Sequence, residues 1–250
     1  MTRTLHPILA LASLFVVALS APSALALDEA DRLWLVGEQA SADGLSALAR
    51  RTLERFVADY PNDKRQPQAL LLLGRARLAM GDAEPALDAI RRFKAVAPAA
   101  QRLEGRFWEG EALYRSRRFA EARTAYDDVM RQDASSPLAP DAAYGLALCD
   151  LELRRPEAAV KGFRDFLVAW PDNSQAGPAT FYLAQTLVDL QRHSDAVPLL
   201  TGYATKYPKS RLAPHAPDLL GTARLAAGAR GARPGARQAC AAADPAHASA

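Results

Sequence analysis

Two cysteines, four histidines and three methionines among 250 residues leave this chain poor in the side chains on which most metal and redox chemistry depends. It has no paired CxxC and no His-x3-His pair with a neighbouring glutamate, so the usual zinc patterns are missing. It also lacks a glycine-rich phosphate loop and a Gly-x-Ser-x-Gly elbow, which removes the common nucleotide and hydrolase signatures. The sequence His193-Ser194-Asp195 has the residue types of a catalytic triad. Three adjacent residues at a turn cannot aim at one another as nucleophile, base and orienter must, and Ser194-Asp195 reads as the start of a helix. His215 and His247 stand alone. We therefore expect no catalysis, no cofactor and no metal.

An excess of one charge is missing as well, since 31 basic side chains face 28 acidic ones. A balance of that kind argues against nucleic acid as the partner, because phosphate binding needs a concentrated basic face. The arginines that raise the isoelectric point crowd near the end, at Arg224, Arg230, Arg233 and Arg237. A long apolar run occurs once, from Ile8 to Leu19, after the basic Arg3 and before Pro22 and Ala24-Leu25-Ala26. That order predicts an export signal over residues 1–26, cleaved near Ala26, and a mature protein without membrane insertion. No cysteine follows the run, so a lipid-attachment site is absent there. Cys149 falls on an inward helix face and Cys240 in the tail; whether they bridge is open at this level.

What the chain does have is periodicity. Ala49, Ala86, Ala122, Ala159 and Ala196 recur at intervals of 37, 36, 37 and 37 residues. Twelve residues before each stands a small residue (Gly37, Gly74, Gly110, Ala147, Ala184), and four after it a large one (Leu53, Ile90, Tyr126, Phe163, Leu200). Small residues at fixed points let two helices approach, and the large residue fills the space beside them. Prolines at Pro61, Pro98, Pro171 and Pro208 close the second helix of a unit, since proline cannot continue the ladder. The fold expected is all-α: a right-handed α-solenoid of about five helix hairpins near 28–62, 63–99, 100–137, 138–173 and 174–210. A capping helix at 211–227 completes the array, which spans 27–227. The glycine-rich stretch from Gly228 is expected to be a disordered tail over 228–250.

At these residues the chain resembles the tetratricopeptide repeat family. Leu70-x2-Leu73-Gly74, Ala86-x3-Ile90 and Pro98 give the clearest copy of its pattern, and Ala159-x3-Phe163 with Pro171 gives another. Arg77 and Asp150 stand where that pattern has an aromatic. The aromatic-proline steps Tyr60-Pro61, Trp170-Pro171 and Tyr207-Pro208 resemble a bacterial envelope branch of the family. That branch includes the periplasmic Tol–Pal-associated repeat protein and the repeat lipoprotein of the outer-membrane β-barrel assembly machinery. The resemblance implies a non-catalytic periplasmic adaptor that binds an envelope protein or peptide. Its alternatives are an accessory factor in outer-membrane protein assembly and a regulatory subunit of a peptidoglycan enzyme.

Binding is expected on the face that the packing residues leave free. Three residues before each small residue the chain reads Trp34, Leu71, Phe107, Tyr144 and Phe181, to which Trp108, Tyr182 and Tyr114 add further rings. One residue after it come Glu38, Arg75, Glu111, Leu148 and Gln185, a series that forms no clamp for a carboxylate. The groove expected from these positions is aromatic and weakly charged, and suits a peptide or helix with apolar side chains. Packing between repeats, or a seam for self-association, is the competing use of the same rings.

Overall fold

The computed structural model describes residues 27–241, with side chains through Gly228. The expected signal segment and the last nine residues lie outside the described residues, as does the side chain of Cys240. Every regular element among the described residues is helical. Five first helices, α1 (Glu29–Ala42), α3 (Gln66–Met80), α5 (Arg102–Arg115), α7 (Ala139–Glu152) and α9 (Ala176–Asp189), alternate with second helices α2 (Ser46–Asp59), α4 (Ala83–Val96), α6 (Phe119–Gln132), α8 (Pro156–Ala169) and α10 (His193–Leu200). Two further helices follow, the short α11 (Tyr203–Lys206) and α12 (Ala216–Ala241). Each helix through α9 packs on the one before and the one after it. Successive first helices also touch one another, α1 with α3, α3 with α5 and α5 with α7, so they form the inner layer of a curved solenoid. Among the described residues no helix is long and apolar enough to cross a membrane.

The repeated small and large residues meet as their spacing implies. A side chain carbon added at Gly37 would lie 2.7 Å from Leu53, and one at Gly74 would lie 2.6 Å from Ile90. Tyr126 sits between two such helices: added carbons would lie 2.9 Å from its ring at Gly110 and 2.8 Å at Gly145. All five periodic alanines are fully buried. Buried leucine, isoleucine and phenylalanine side chains beside them each contribute roughly 1.5–3 kcal/mol by leaving water.

Hairpin turns repeat in backbone as well as in sequence. Gly44, Gly81, Arg117, Arg154 and Gln191 all have left-handed φ, between 57° and 88°. Glycine takes that conformation freely, whereas arginine and glutamine do so at a cost. Asp82 occupies the N-cap position of α4 without a side-chain hydrogen bond. Where the family pattern has an aromatic, ions span the repeats instead. Arg77 donates to Glu54 at 3.0 Å, and Arg123 donates to the buried Asp150 at 2.8 Å. Glu109, buried on α5, is met by Arg91, Lys94 and Arg106, so its desolvation is offset by three cations and its carboxyl is held below the usual range.

The fifth hairpin departs from the others. Pro198 lies inside α10, and Gly202 at φ 71° separates that helix from α11. Tyr203 then turns into the core, and its hydroxyl donates to the Gly177 carbonyl at 2.8 Å. The last helix packs on α9 and α10 as a cap. It continues to Ala241, past the stop expected at Ala227.

Candidate functional site

Two adjoining hollows lie along the inner layer. The first, of about 510 Å³, lies among α1, α3 and α5 and is lined by Glu38, Gln68, Leu72, Arg75, Trp108 and Arg115 among others. The second, of about 470 Å³, lies between α5 and α7 and reaches Gln175 at the head of α9. Its walls include Phe107, Trp108, Glu111, Tyr114, Tyr144, Leu148 and Asp141. Trp108 and Arg115 line both hollows, so the two are continuous across α5.

Of the residues expected to bind, Arg75, Phe107, Trp108, Glu111, Tyr114 and Tyr144 therefore line the hollows. The rest do not. Leu71 and Phe181 are buried in the core, and Phe107 reaches its hollow with only 5% of its surface exposed. Trp34 packs on Phe56 with centroids 5.9 Å apart, and Tyr182 stacks on Phe163 at 6.2 Å. Gln185 is exposed and lies on neither hollow. The expected stripe is thus corrected: its rings at the third residue before each small residue belong mainly to packing between repeats. The reason is angular. With 3.6 residues per turn that position lies about 60° from the core-facing small residue, while the second residue before it lies about 160° away. The second position carries Leu35, Leu72, Trp108, Gly145 and Tyr182, and three of these, Leu72, Trp108 and Gly145, line the site.

Sequence reasoning did not name Gln68, Leu72, Arg115, Asp141 and Gln175 as lining residues, whereas Glu38 and Leu148, from the series one residue after the small residues, do line the hollows. A consistent 100° step per residue would have placed Leu72 and Arg115 on the inner face with Arg75. Gln175 comes from a linker, and only the fold brings it to α7.

The chemistry of the surface is amphipathic. Arg75 lies over the Trp108 ring at 4.8 Å, and Trp108 meets Phe107 edge-on at 5.3 Å. Trp108 has its indole N–H shielded from water and without a hydrogen-bond partner. The Tyr126 hydroxyl donates to Glu111 at 2.6 Å, and Arg115 pairs with Glu111 at 3.5 Å. Burial raises the Tyr144 phenol above its ordinary range and pushes Tyr114 up to about 12, so both are neutral donors at physiological pH. Burial likewise raises the Asp141 carboxyl, whose one hydrogen bond comes from Gln175 at 2.7 Å. Elsewhere, Asp195 of the His193-Ser194-Asp195 cluster is bonded by Arg192 at 2.8 Å. Cys149 is a fully buried free thiol, pushed up to about 12 by desolvation.

Comparison with known proteins bears on the fold. Residues 68–100 and 109–174 match tetratricopeptide repeat family profiles. No curated protein matches the chain. Among solved structures, MamA (41-end) from Desulfovibrio magneticus RS-1 is similar at a TM-score of 0.61 and 18% identity, covering 74% of this chain and 98% of that one. A putative kinesin light chain from Podosopora anserina with nearly identical TPR-like repeats is similar at 0.58 and 16%, covering 74% and 100%. Two segments of the chain thus resemble tetratricopeptide repeats, and its helix hairpins are arranged as in these solenoids.

Proposed function

We propose that this protein is an exported, non-catalytic adaptor of the bacterial cell envelope that holds an extended segment or helix of another envelope protein along its inner face. The observation that carries this reading is the pair of hollows joined at Trp108, with apolar floor and separated polar groups along one continuous track. Binding sites commonly combine apolar area with a few fixed polar groups in this way. A helical array offers such a surface because side chains from several repeats face one concavity. The apolar run from Ile8 to Leu19, followed by Ala24-Leu25-Ala26, supports export, and the aromatic-proline steps support service in Tol–Pal or cell-division-linked maintenance. Roles in outer-membrane protein assembly or with a peptidoglycan enzyme use the same surface and differ in the partner.

A photo-cross-linking amino acid placed at Gln68 or Arg75, on the inner layer, tests the reading in cells against one placed at Val168 on α8, which is 83% exposed. The expected result is a discrete adduct in the periplasmic fraction from the inner positions and none from Val168. Adducts only from Val168, or a chain retained in the cytoplasm, would overturn it.

A further inference from the structure

An internal comparison shows what the second hollow lacks. Side chains 110 residues apart correspond one for one: Asp31 with Asp141, Trp34 with Tyr144, Phe56 with Phe166, Asp63 with Asn173, and Arg65 with Gln175. The local geometry corresponds too. The Arg65 N–H donates to Asp63 at 2.7 Å and the Gln175 N–H to Asn173 at 2.8 Å. The ring pairs Trp34–Phe56 and Tyr144–Phe166 are 5.9 and 5.8 Å apart.

At the first of these places the protein supplies its own cation. The Arg65 guanidinium donates to Asp31 at 2.7 Å and lies 5.9 Å from the Trp34 centroid and 5.4 Å from that of Phe56. At the second place the arginine is replaced by the neutral amide of Gln175. Its nitrogen takes one Asp141 oxygen, while its own oxygen is shielded from water without a donor. Asp141 makes no ion pair among the described residues. The two arginines that line the hollows are committed elsewhere, Arg115 to Glu111 and Arg75 to the Trp108 ring. A half-buried carboxylate without a counter-charge, walled by the rings of Trp108, Tyr114 and Tyr144, therefore stands in a hollow of about 470 Å³. Carboxylate and aromatic faces both attract a desolvated cation.

Building on the groove assigned above, we propose that this hollow takes a basic side chain, arginine or lysine, from the partner segment, its cation set against Asp141 and flanked by Tyr144 and Trp108. The repeat that keeps Arg65 is self-satisfied, and the one that carries Gln175 is completed from outside. The partner is thus a segment with one basic residue among apolar ones, which seats its apolar side chains in the first hollow beside Leu72.

The test uses N-acetyl-arginine amide and its neutral isostere N-acetyl-citrulline amide, titrated into the 15N-labelled chain while the Trp108 indole and Gln175 side-chain amide resonances are followed. The arginine compound should shift both resonances saturably, with the citrulline compound at least about tenfold weaker. Asp141→Asn should lose that preference. Gln175→Arg, which supplies the missing cation from within, should abolish binding and raise the Tm. Equal binding of the two compounds, unchanged preference in Asp141→Asn, or a Gln175→Arg chain that binds as before would each overturn the proposal. Failure here leaves the groove standing if cross-links still form at Gln68 and Arg75. Absence of those cross-links removes the groove reading whatever the titration shows.

Discussion

Arg154, exposed at φ 57°, occupies the same turn position that glycine fills at Gly44 and Gly81. A left-handed backbone costs an arginine roughly 1–2 kcal/mol, part of which a glycine returns as unfolded-state entropy. Arg154→Gly should therefore stabilise the protein by about 0.5–1 kcal/mol, read as a higher midpoint in urea at unchanged slope. A second residue-scale effect concerns acid. The Arg65 guanidinium beside Asp63 holds that carboxyl at about 2 rather than its ordinary 3.8. A depressed carboxyl stabilises the fold above its unfolded pKa and loses that contribution as pH falls toward the folded one. The Tm difference between the native chain and Asp63→Asn should thus be constant from pH 7 to about 5 and shrink between about 4 and 2. A constant difference down to pH 2 would mean that the pair does not form.

At the scale of the helix, packing and binding faces are separated by a rotation of about 100°, one residue's step. Phe107 and Trp108 are neighbours that fall on opposite sides of that division. Phe107 packs on Tyr126 with centroids 6.0 Å apart, whereas Trp108 carries Arg75 on its outer surface. Phe107→Ala should cost about 3–5 kcal/mol and Trp108→Ala clearly less, about 1–2 kcal/mol. Equal losses would place both rings in the core. Ala159→Leu, where no space remains, should cost about 1–3 kcal/mol by overpacking. The hairpins were legible in the sequence because three independent periodic signals, small residue, large residue and closing proline, recur in register. The break in α10 was not, although Pro198 and Gly202 mark it, because periodicity hid an exception in one copy. The binding stripe was half legible: aromatic residues on the inner helices stood out, but choosing their face needed an angle, and α5 places rings on both faces.

For the whole molecule, curvature converts ordinary helix surfaces into a site. No single hairpin contains it. The first hollow draws on three first helices and the second on α5, α7 and the linker before α9, so removal of one repeat would divide the track. Linkers are where this level of organisation escapes sequence reading, as Gln175 shows: its position beside Asp141 follows from stacking one repeat on the next. The ion pairs Arg77–Glu54 and Arg123–Asp150 fix that stacking where the family pattern would use a ring. The central claim is that this inner surface, and Trp108 at its centre, holds the partner. Affinity of a peptide selected by display against the native chain, measured by calorimetry on that chain and on Trp108→Ala, tests it most directly. The account predicts a loss of at least about 2 kcal/mol, roughly thirtyfold in Kd, in a variant that remains folded. Full affinity in the folded variant would contradict it and move the binding surface to the outer helices.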